Sequence, residues 1–99
     1  MTQAPVSIDS LLYTKRGFRR GRPCLAGTGL TVHTIAALHL QGFSAEAICA
    51  EYPDLDPSLI YAALAYYFAN REAIQRDLEA DRELGARLAA ADMRTKGRA

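Results

Sequence analysis

The residues best suited to chemistry form a dense group of cations in the stretch KRGFRRGR, residues 15–22, called here the basic segment. Five of these eight residues are basic, whereas the whole chain has a net charge of only +1. They are Lys15, Arg16, Arg19, Arg20 and Arg22. Cations at this density neutralise phosphates, which supplies most of the non-specific affinity of proteins for DNA. The segment therefore predicts contacts with DNA phosphates, and the alternative is a solvated loop that keeps the protein soluble.

The charge is distributed unevenly along the chain. Residues 1–22 hold five bases and one acid, whereas residues 23–70 hold four acids and no Lys or Arg. Residues 71–99 hold seven bases and six acids. The near-neutral total therefore conceals a basic start, an acidic middle and a tail of mixed charge, and such asymmetry bears on the choice of partners.

The middle of the chain predicts two helices in succession. Thr31 is a suitable N-cap for the first helix, and Gly42 is placed to end it. Ser44 is a suitable N-cap for the second, which Pro53 must end because proline cannot continue a helix. The apolar residues of the second helix recur at the spacing of one buried face. They are Ala45, Ile48, Cys49 and Tyr52.

A third helix follows, with Asp56 as its N-cap and Pro57 at the favoured first position. Its apolar residues repeat the same spacing and predict a buried face. They are Ile60, Ala63, Leu64 and Tyr67. Residues 31–70 thus predict a three-helix core whose second and third helices are joined by a turn of about four residues, which is the outline of a helix-turn-helix. Many small helical bundles that bind no DNA share this outline.

The exposed face of the third helix is poor in groups that contact DNA. Ser58 and Tyr61 are the candidate DNA-contacting residues on it, and this helix carries no Lys or Arg before Arg71. DNA binding would therefore depend on the basic segment. The alternative is that the Ala- and Tyr-rich face binds a protein or a second copy, since tyrosine is enriched at interfaces. Tyr67 and Phe68 are expected in the core.

The two ends of the chain predict elements that need a partner. Residues 11–14 and 23–32 suit short strands, which are stable only against a helical layer or a second chain. Residues 71–92 suit a charged helix with a narrow apolar stripe into which Asp81 intrudes, and residues 93–99 are expected to fray. The stripe is a candidate partner-binding surface, or else it docks on its own domain. It comprises Ile74, Leu78, Leu84 and Leu88.

Other functions find little support in the residues. The sequence lacks catalytic spacings, a phosphate-binding loop with its lysine, and clustered metal ligands. We therefore expect no enzyme, cofactor, metal site or small-molecule substrate. Cys24 and Cys49 suit reduced thiols. The chain lacks a membrane-spanning stretch and the order of a signal peptide, and we expect it in the cytoplasm.

Residues 21–67 resemble the domain-of-unknown-function 433 family. The resemblance runs from a Gly-x-Pro at Gly21 and a Gly-Thr at Gly27 to a Tyr-Pro at Tyr52 and an Ile-x-x-Ala-Leu-x-Tyr helix that starts at Ile60. Further matches are Leu30, Val32, Ile35, Gly42, Ile48 and Leu55. Where the family usually has arginine after Gly-Thr, this chain has Gly29, and Arg19, Arg20 or Arg22 is a candidate replacement.

The resemblance implies a mainly α fold: a homeodomain-like three-helix core with short N-terminal strands that pair across a homodimer. It also implies, as in some members, a VapB-type antitoxin that neutralises a PIN-like ribonuclease toxin. Three parts are expected: strands and basic segment in 1–30, helix-turn-helix core in 31–70, and C-terminal helix and frayed tail in 71–99. We therefore expect an antitoxin that binds its own operator DNA as a dimer, and the alternative is an interaction module that binds no DNA.

Overall fold

Capping side chains start the first three helices of the computed structural model, which describes residues 7–96. The caps are Thr31, Ser44 and Asp56, whose side-chain oxygens accept hydrogen bonds from backbone N–H groups at 3.2, 3.1 and 2.9 Å. Gly42 follows the first helix with a φ of 100°, in the left-handed region that glycine adopts most easily. Pro57 is the first residue of the third helix, as expected. The predicted helix starts are therefore confirmed.

The described residues form two short strands and four helices, with a 3₁₀ turn at Ile8–Ser10 and another at Arg19–Gly21. In chain order these are β1 (Leu12–Tyr13), β2 (Cys24–Leu25), α1 (Val32–Leu40), α2 (Ala45–Glu51), α3 (Pro57–Ala69) and α4 (Arg71–Lys96). The mainly helical fold expected from the sequence is therefore confirmed at this level.

Helices α1, α2 and α3 pack on one another around a single apolar core, to which β2 and the start of α4 contribute. The predicted buried face of α3 is confirmed in full, and on α2 Ile48 is the fully buried residue. The core comprises Leu25, Val32, Ile35, Ala36, Ile48, Ile60, Ala63, Leu64, Tyr67 and Ile74.

The two strands pair with each other in an antiparallel ladder, Leu12 with Leu25 and Tyr13 with Cys24. Both strands also pack on α3. A two-stranded sheet of this length is marginal alone, and the helical layer supplies the burial it lacks. Pairing of strands across a dimer stays a prediction.

Helix α4 is longer than expected, since it continues to Lys96 rather than ending near residue 92. The last three residues of the tail that we expected to fray, 97–99, lie outside the described residues. We call residues 71–81 the inner half of α4 and residues 82–93 its outer half. The inner half packs on the core, whereas every residue of the outer half is exposed. The 26 residues of α4 extend for about 39 Å at ~1.5 Å per residue.

Within residues 7–96, none of the helices combines the length and the apolar character needed to cross a bilayer.

Candidate functional site

The basic segment is an ordered turn between β1 and β2. Backbone hydrogen bonds close it at Gly21 N to Phe18 O, 2.9 Å, and at Arg22 N to Arg19 O, 3.0 Å. Arg19 and Arg20 both adopt left-handed backbone conformations, with φ of 49° and 56°. Such conformations are uncommon for residues with a side chain, and they persist where the surrounding structure holds them. The hydrogen bonds that close the turn and the tertiary contacts of Arg19 and Arg22 provide that hold.

Arg22 is the most firmly held of the five bases, because it forms a bidentate ion pair with Asp81 of α4. Its Nη1 lies 2.8 Å from Oδ2 of Asp81, and its Nη2 lies 3.0 Å from Oδ1. The Arg22 side chain is only 18% exposed. The hydrogen bond to Asp81 raises the pKa of Arg22. It is also the main cause that lowers the pKa of Asp81. The pair ties the basic segment to the inner half of α4.

Arg20 binds the same carboxylate of Asp81 through one hydrogen bond and is more exposed than Arg22. Its Nη1 donates to Oδ1 of Asp81 at 3.1 Å, but its side chain is 65% exposed. An exposed ion pair of this kind contributes little to stability, since water and salt screen it. Arg20 can therefore leave Asp81 for another acceptor at small cost.

Arg19 turns toward Gly29, the position at which arginine was expected from the family resemblance. Its Nε donates to the Gly29 carbonyl at 3.0 Å, and its guanidinium lies 5.3 Å from the centre of the Phe18 ring. A Cβ at residue 29 would lie 3.3 Å from Nη2 of Arg19. The guanidinium of Arg19 thus packs against the space that a side chain at Gly29 would use. Of the three candidate replacements, Arg19 is the one that contacts Gly29.

Lys15 and Arg16 complete the basic segment and are exposed. Within the described part of the chain, neither has an ion-pair partner. The structure therefore brings together three of the five candidate phosphate-binding residues, Arg19, Arg20 and Arg22, and leaves the other two at the surface of the turn.

A second contact joins α1 to the inner half of α4. Nε2 of His33, a buried residue, lies 2.9 Å from Oδ2 of Asp77. With its proton on Nε2 the ring donates to that carboxylate, and its Nδ1 is buried without a hydrogen-bond partner among residues 7–96. His33 and Asp77 carried no functional signal in the sequence.

An acid interrupts the apolar stripe of α4 because the carboxylates on that face pair with groups of the domain. Ile74, Asp77, Leu78 and Asp81 recur at i, i+3, i+4 and i+7 and share one face of the helix. Two of these positions meet the apolar core, and the other two meet His33 and the arginines. The position of Asp81 within the apolar stripe indicated that it pairs with a cation on the packed side of α4. The sequence alone did not identify that cation as Arg22.

The four residues predicted to bind a partner divide between the two halves of α4. Ile74 is 2% exposed and belongs to the core, so in this conformation it is closed to a partner. Leu78 is half-buried. Leu84 and Leu88 are 44% and 61% exposed. The alternative of docking on its own domain therefore holds for the inner half, and the outer half presents the remaining leucines.

The exposed face of α3 is aromatic rather than cationic. Ser58 is exposed, and Tyr61 is 51% exposed, so both candidate DNA-contacting residues are accessible. The expectation that Tyr67 lies in the core is confirmed. The same expectation for Phe68 is wrong, because its side chain is 49% exposed and lies 5.1 Å from the guanidinium of Arg71.

Among the residues that the structure describes, no group of three or more potential metal ligands comes together.

The fold and these contacts define a class: a small, mainly helical protein in which an arginine-rich turn is bound to the start of a long C-terminal helix. The sequence pattern of a family described as protein of unknown function, DUF433, matches residues 14–67. The chain belongs to this family, and the resemblance seen in residues 21–67 is confirmed. A search of the curated proteins gave no match.

A solved structure supports the same assignment. It is the crystal structure of a DUF433 member protein from Anabaena variabilis ATCC 29413, to which this chain is similar with a TM-score of 0.64 and 28% sequence identity. The similarity covers 73% of this chain and 71% of that one.

Proposed function

We propose that this protein is an antitoxin of a type II toxin-antitoxin pair. It neutralises a PIN-like ribonuclease toxin in the cytoplasm and binds its own operator DNA as a homodimer. The proposal assigns it binding roles and no catalysis. It also includes a homeodomain-like arrangement of α1 to α3 and strands that pair across the dimer.

The outer half of α4 is the observation that carries the antitoxin role. Every residue of α4 from 82 to 93 is exposed, and none of the described core residues comes from this half of the helix. It nevertheless carries Leu84 and Leu88 on one side, four residues apart. An amphipathic helix of this kind binds in an apolar groove of another protein, and it gains there the burial that its own core does not provide.

The DNA-binding role depends on the basic segment. Helix α3 carries no Lys or Arg, so the exposed Ser58 and Tyr61 contribute contacts while the cations of residues 15–22 neutralise phosphates. The segment adjoins the N-terminus of α1. In a homodimer there would be two such segments, and together they would offer the duplex a longer basic surface.

The test of the antitoxin role starts with the tagged chain expressed in its native host. Proteins that co-purify with it are identified by mass spectrometry, and the partner is then assayed for RNA cleavage with and without the chain. We expect a small ribonuclease in stoichiometric amount whose RNA cleavage the chain suppresses. Recovery of the chain without a ribonuclease, or a ribonuclease that stays active in the complex, would contradict the role.

A second candidate function is an interaction module that binds no DNA. It is favoured by the exposed aromatic residues of α3 and by the lack of any Lys or Arg from residue 23 to residue 70. Tyr61, Tyr66 and Phe68 would then form a protein-binding or dimer surface. A mobility-shift assay with the DNA upstream of the coding sequence separates the two functions, since only the antitoxin proposal predicts a salt-dependent shift.

A further inference from the structure

We infer that Arg19, Arg20, Arg22 and Thr31 form a binding site for one phosphate group. These four residues line a cavity of about 300 Å³ between the turn of the basic segment and the N-terminus of α1. A water molecule takes ~30 Å³ in the liquid, so the cavity has room for a tetrahedral oxyanion. The inference deepens the DNA-binding half of the proposed function, on which its biological role rests, by identifying the residues that hold a backbone phosphate.

The cavity is lined by more positive charge than its surroundings neutralise. Three arginines line it, and Asp81 is the carboxylate with which two of them pair. Arg19 uses its Nε for the Gly29 carbonyl, and none of the described ion pairs includes it. An oxyanion in the cavity would therefore meet excess charge together with N–H donors whose fork geometry suits phosphate.

The three arginines differ in how firmly they are held, and this gives each a separate role. Arg22 is fixed by its bidentate pair with Asp81 and supplies charge from a constant position. Arg20 has one contact with the same carboxylate and a side chain that is 65% exposed. A phosphate in the cavity would take Arg20 from Asp81 and leave the pair with Arg22 in place. Exchange of one anionic acceptor for another costs Arg20 little.

The N-terminus of α1 adds a neutral contribution to the same site. Thr31 caps this helix through its side-chain oxygen, which accepts from the backbone N–H of Thr34. The positive end of the helix dipole therefore lies beside the cavity, where it favours an anion. Two consecutive left-handed residues, Arg19 and Arg20, form the part of the turn that lines the cavity beside this helix end.

The test is a titration of the full chain with sodium phosphate, followed by NMR on the Nε–H signals of arginine and the amide of Thr31. Sodium chloride at equal ionic strength is the control titration. We expect saturable shifts at Arg19, Arg20 and Thr31 that fit one site. The Arg20→Ala chain should bind phosphate roughly tenfold more weakly, the loss expected for one charge-assisted hydrogen bond. Shifts that follow ionic strength alone would overturn the inference.

Arg16→Ala is the matched control, since it removes one arginine of the same segment that does not line the cavity. Phosphate binding should stay within about twofold of the parent chain, because Arg16 contributes only through screened, longer-range charge. An equal loss in Arg16→Ala and Arg20→Ala would mean that net charge alone attracts phosphate, and it would overturn the site.

A parallel titration with duplex DNA from upstream of the coding sequence separates this inference from the proposed function. Phosphate binding at the site without duplex binding would support the site and contradict the DNA-binding role. Duplex binding that Arg20→Ala and Arg16→Ala reduce equally would support the DNA-binding role and contradict the site. Loss of both phosphate and duplex binding in Arg20→Ala, but not in Arg16→Ala, is the result we expect.

Discussion

The inner and outer halves of α4 belong to one continuous helix, and apolar residues follow the same side of both. In the inner half this side is buried against the core, the arginines and His33. In the outer half it carries the exposed Leu84 and Leu88. The difference arises because the helix continues beyond Asp81, which pairs with Arg20 and Arg22, and every residue from 82 to 93 is exposed. The same helical spacing of apolar residues therefore leads to burial within the domain in the inner half and to an exposed surface in the outer half.

Truncation of one apolar residue in each half should affect stability very differently. Ile74→Ala should lower the free energy of unfolding by about 2–4 kcal/mol, because it removes a fully buried side chain and leaves a cavity. Leu88→Ala, in the outer half, should change it by less than about 0.5 kcal/mol. Urea denaturation followed by circular dichroism measures both. Similar losses in the two variants would mean that the outer half is also packed.

The ion pair between Arg22 and Asp81 attaches the inner half of α4 to the basic segment. Arg22→Ala should cost about 1–2 kcal/mol, since it removes two charge-assisted hydrogen bonds in a partly buried setting. Arg20→Ala is the matched control and should cost less than about 0.5 kcal/mol, because that side chain is largely exposed. Thermal melting of both chains distinguishes them. Equal melting temperatures would show that Arg22 is no more important than a surface charge.

Protonation of Asp81 at low pH should lower the free energy of unfolding, because it weakens the ion pair that attaches the inner half of α4. The pKa of Asp81 is lowered chiefly by its hydrogen bond with Arg22. A carboxyl whose pKa is lower in the folded than in the unfolded chain contributes stability that is complete above the unfolded value, about 3.9, and is lost as the pH falls through the folded value. Stability should therefore decline below about pH 4.

Asp81→Asn isolates this contribution, which we expect to be below about 1 kcal/mol because the site is partly open to water. The variant should lose less stability than the parent chain between pH 5 and pH 2 in urea denaturation. Some decline should remain, because the hydrogen bond with Ser58 also lowers the pKa of Asp56. The same pH dependence of stability in both chains would contradict a contribution of Asp81 to the loss of stability in acid.

Local signals in the sequence predicted much of the fold. Thr31, Ser44 and Asp56 were identifiable as caps because capping depends on residues only two or three positions apart. The buried face of α3 followed from its periodicity, since its apolar residues recur at the spacing of one helix face. Such features need no knowledge of the tertiary structure.

The candidate site depends on contacts that local patterns do not contain. Arg22 and Asp81 lie 59 residues apart, and no periodicity links a turn to a helix across that distance. The same limit applies to His33 and Asp77, 44 residues apart. The stripe on α4 gave the correct face but not the point at which the core ends, so Ile74 and Leu88 could not be assigned different roles from the sequence.

Co-purification from the native host with two matched double variants of α4 tests whether its exposed leucines bind the toxin. Leu84→Glu with Leu88→Glu places two carboxylates on the apolar side of the outer half. Ala86→Glu with Ala90→Glu places the same two charges on the opposite side of the same turns, at 100° per residue. Both should melt as the parent chain does, since all four positions are exposed.

If the outer half binds a ribonuclease toxin, the Ala86/Ala90 variant should still capture the ribonuclease and suppress RNA cleavage. The Leu84/Leu88 variant should do neither, because charge on the apolar side prevents burial in a groove. Capture and inhibition of a ribonuclease by both variants alike would contradict the claim that the exposed leucines of α4 form the toxin-binding surface.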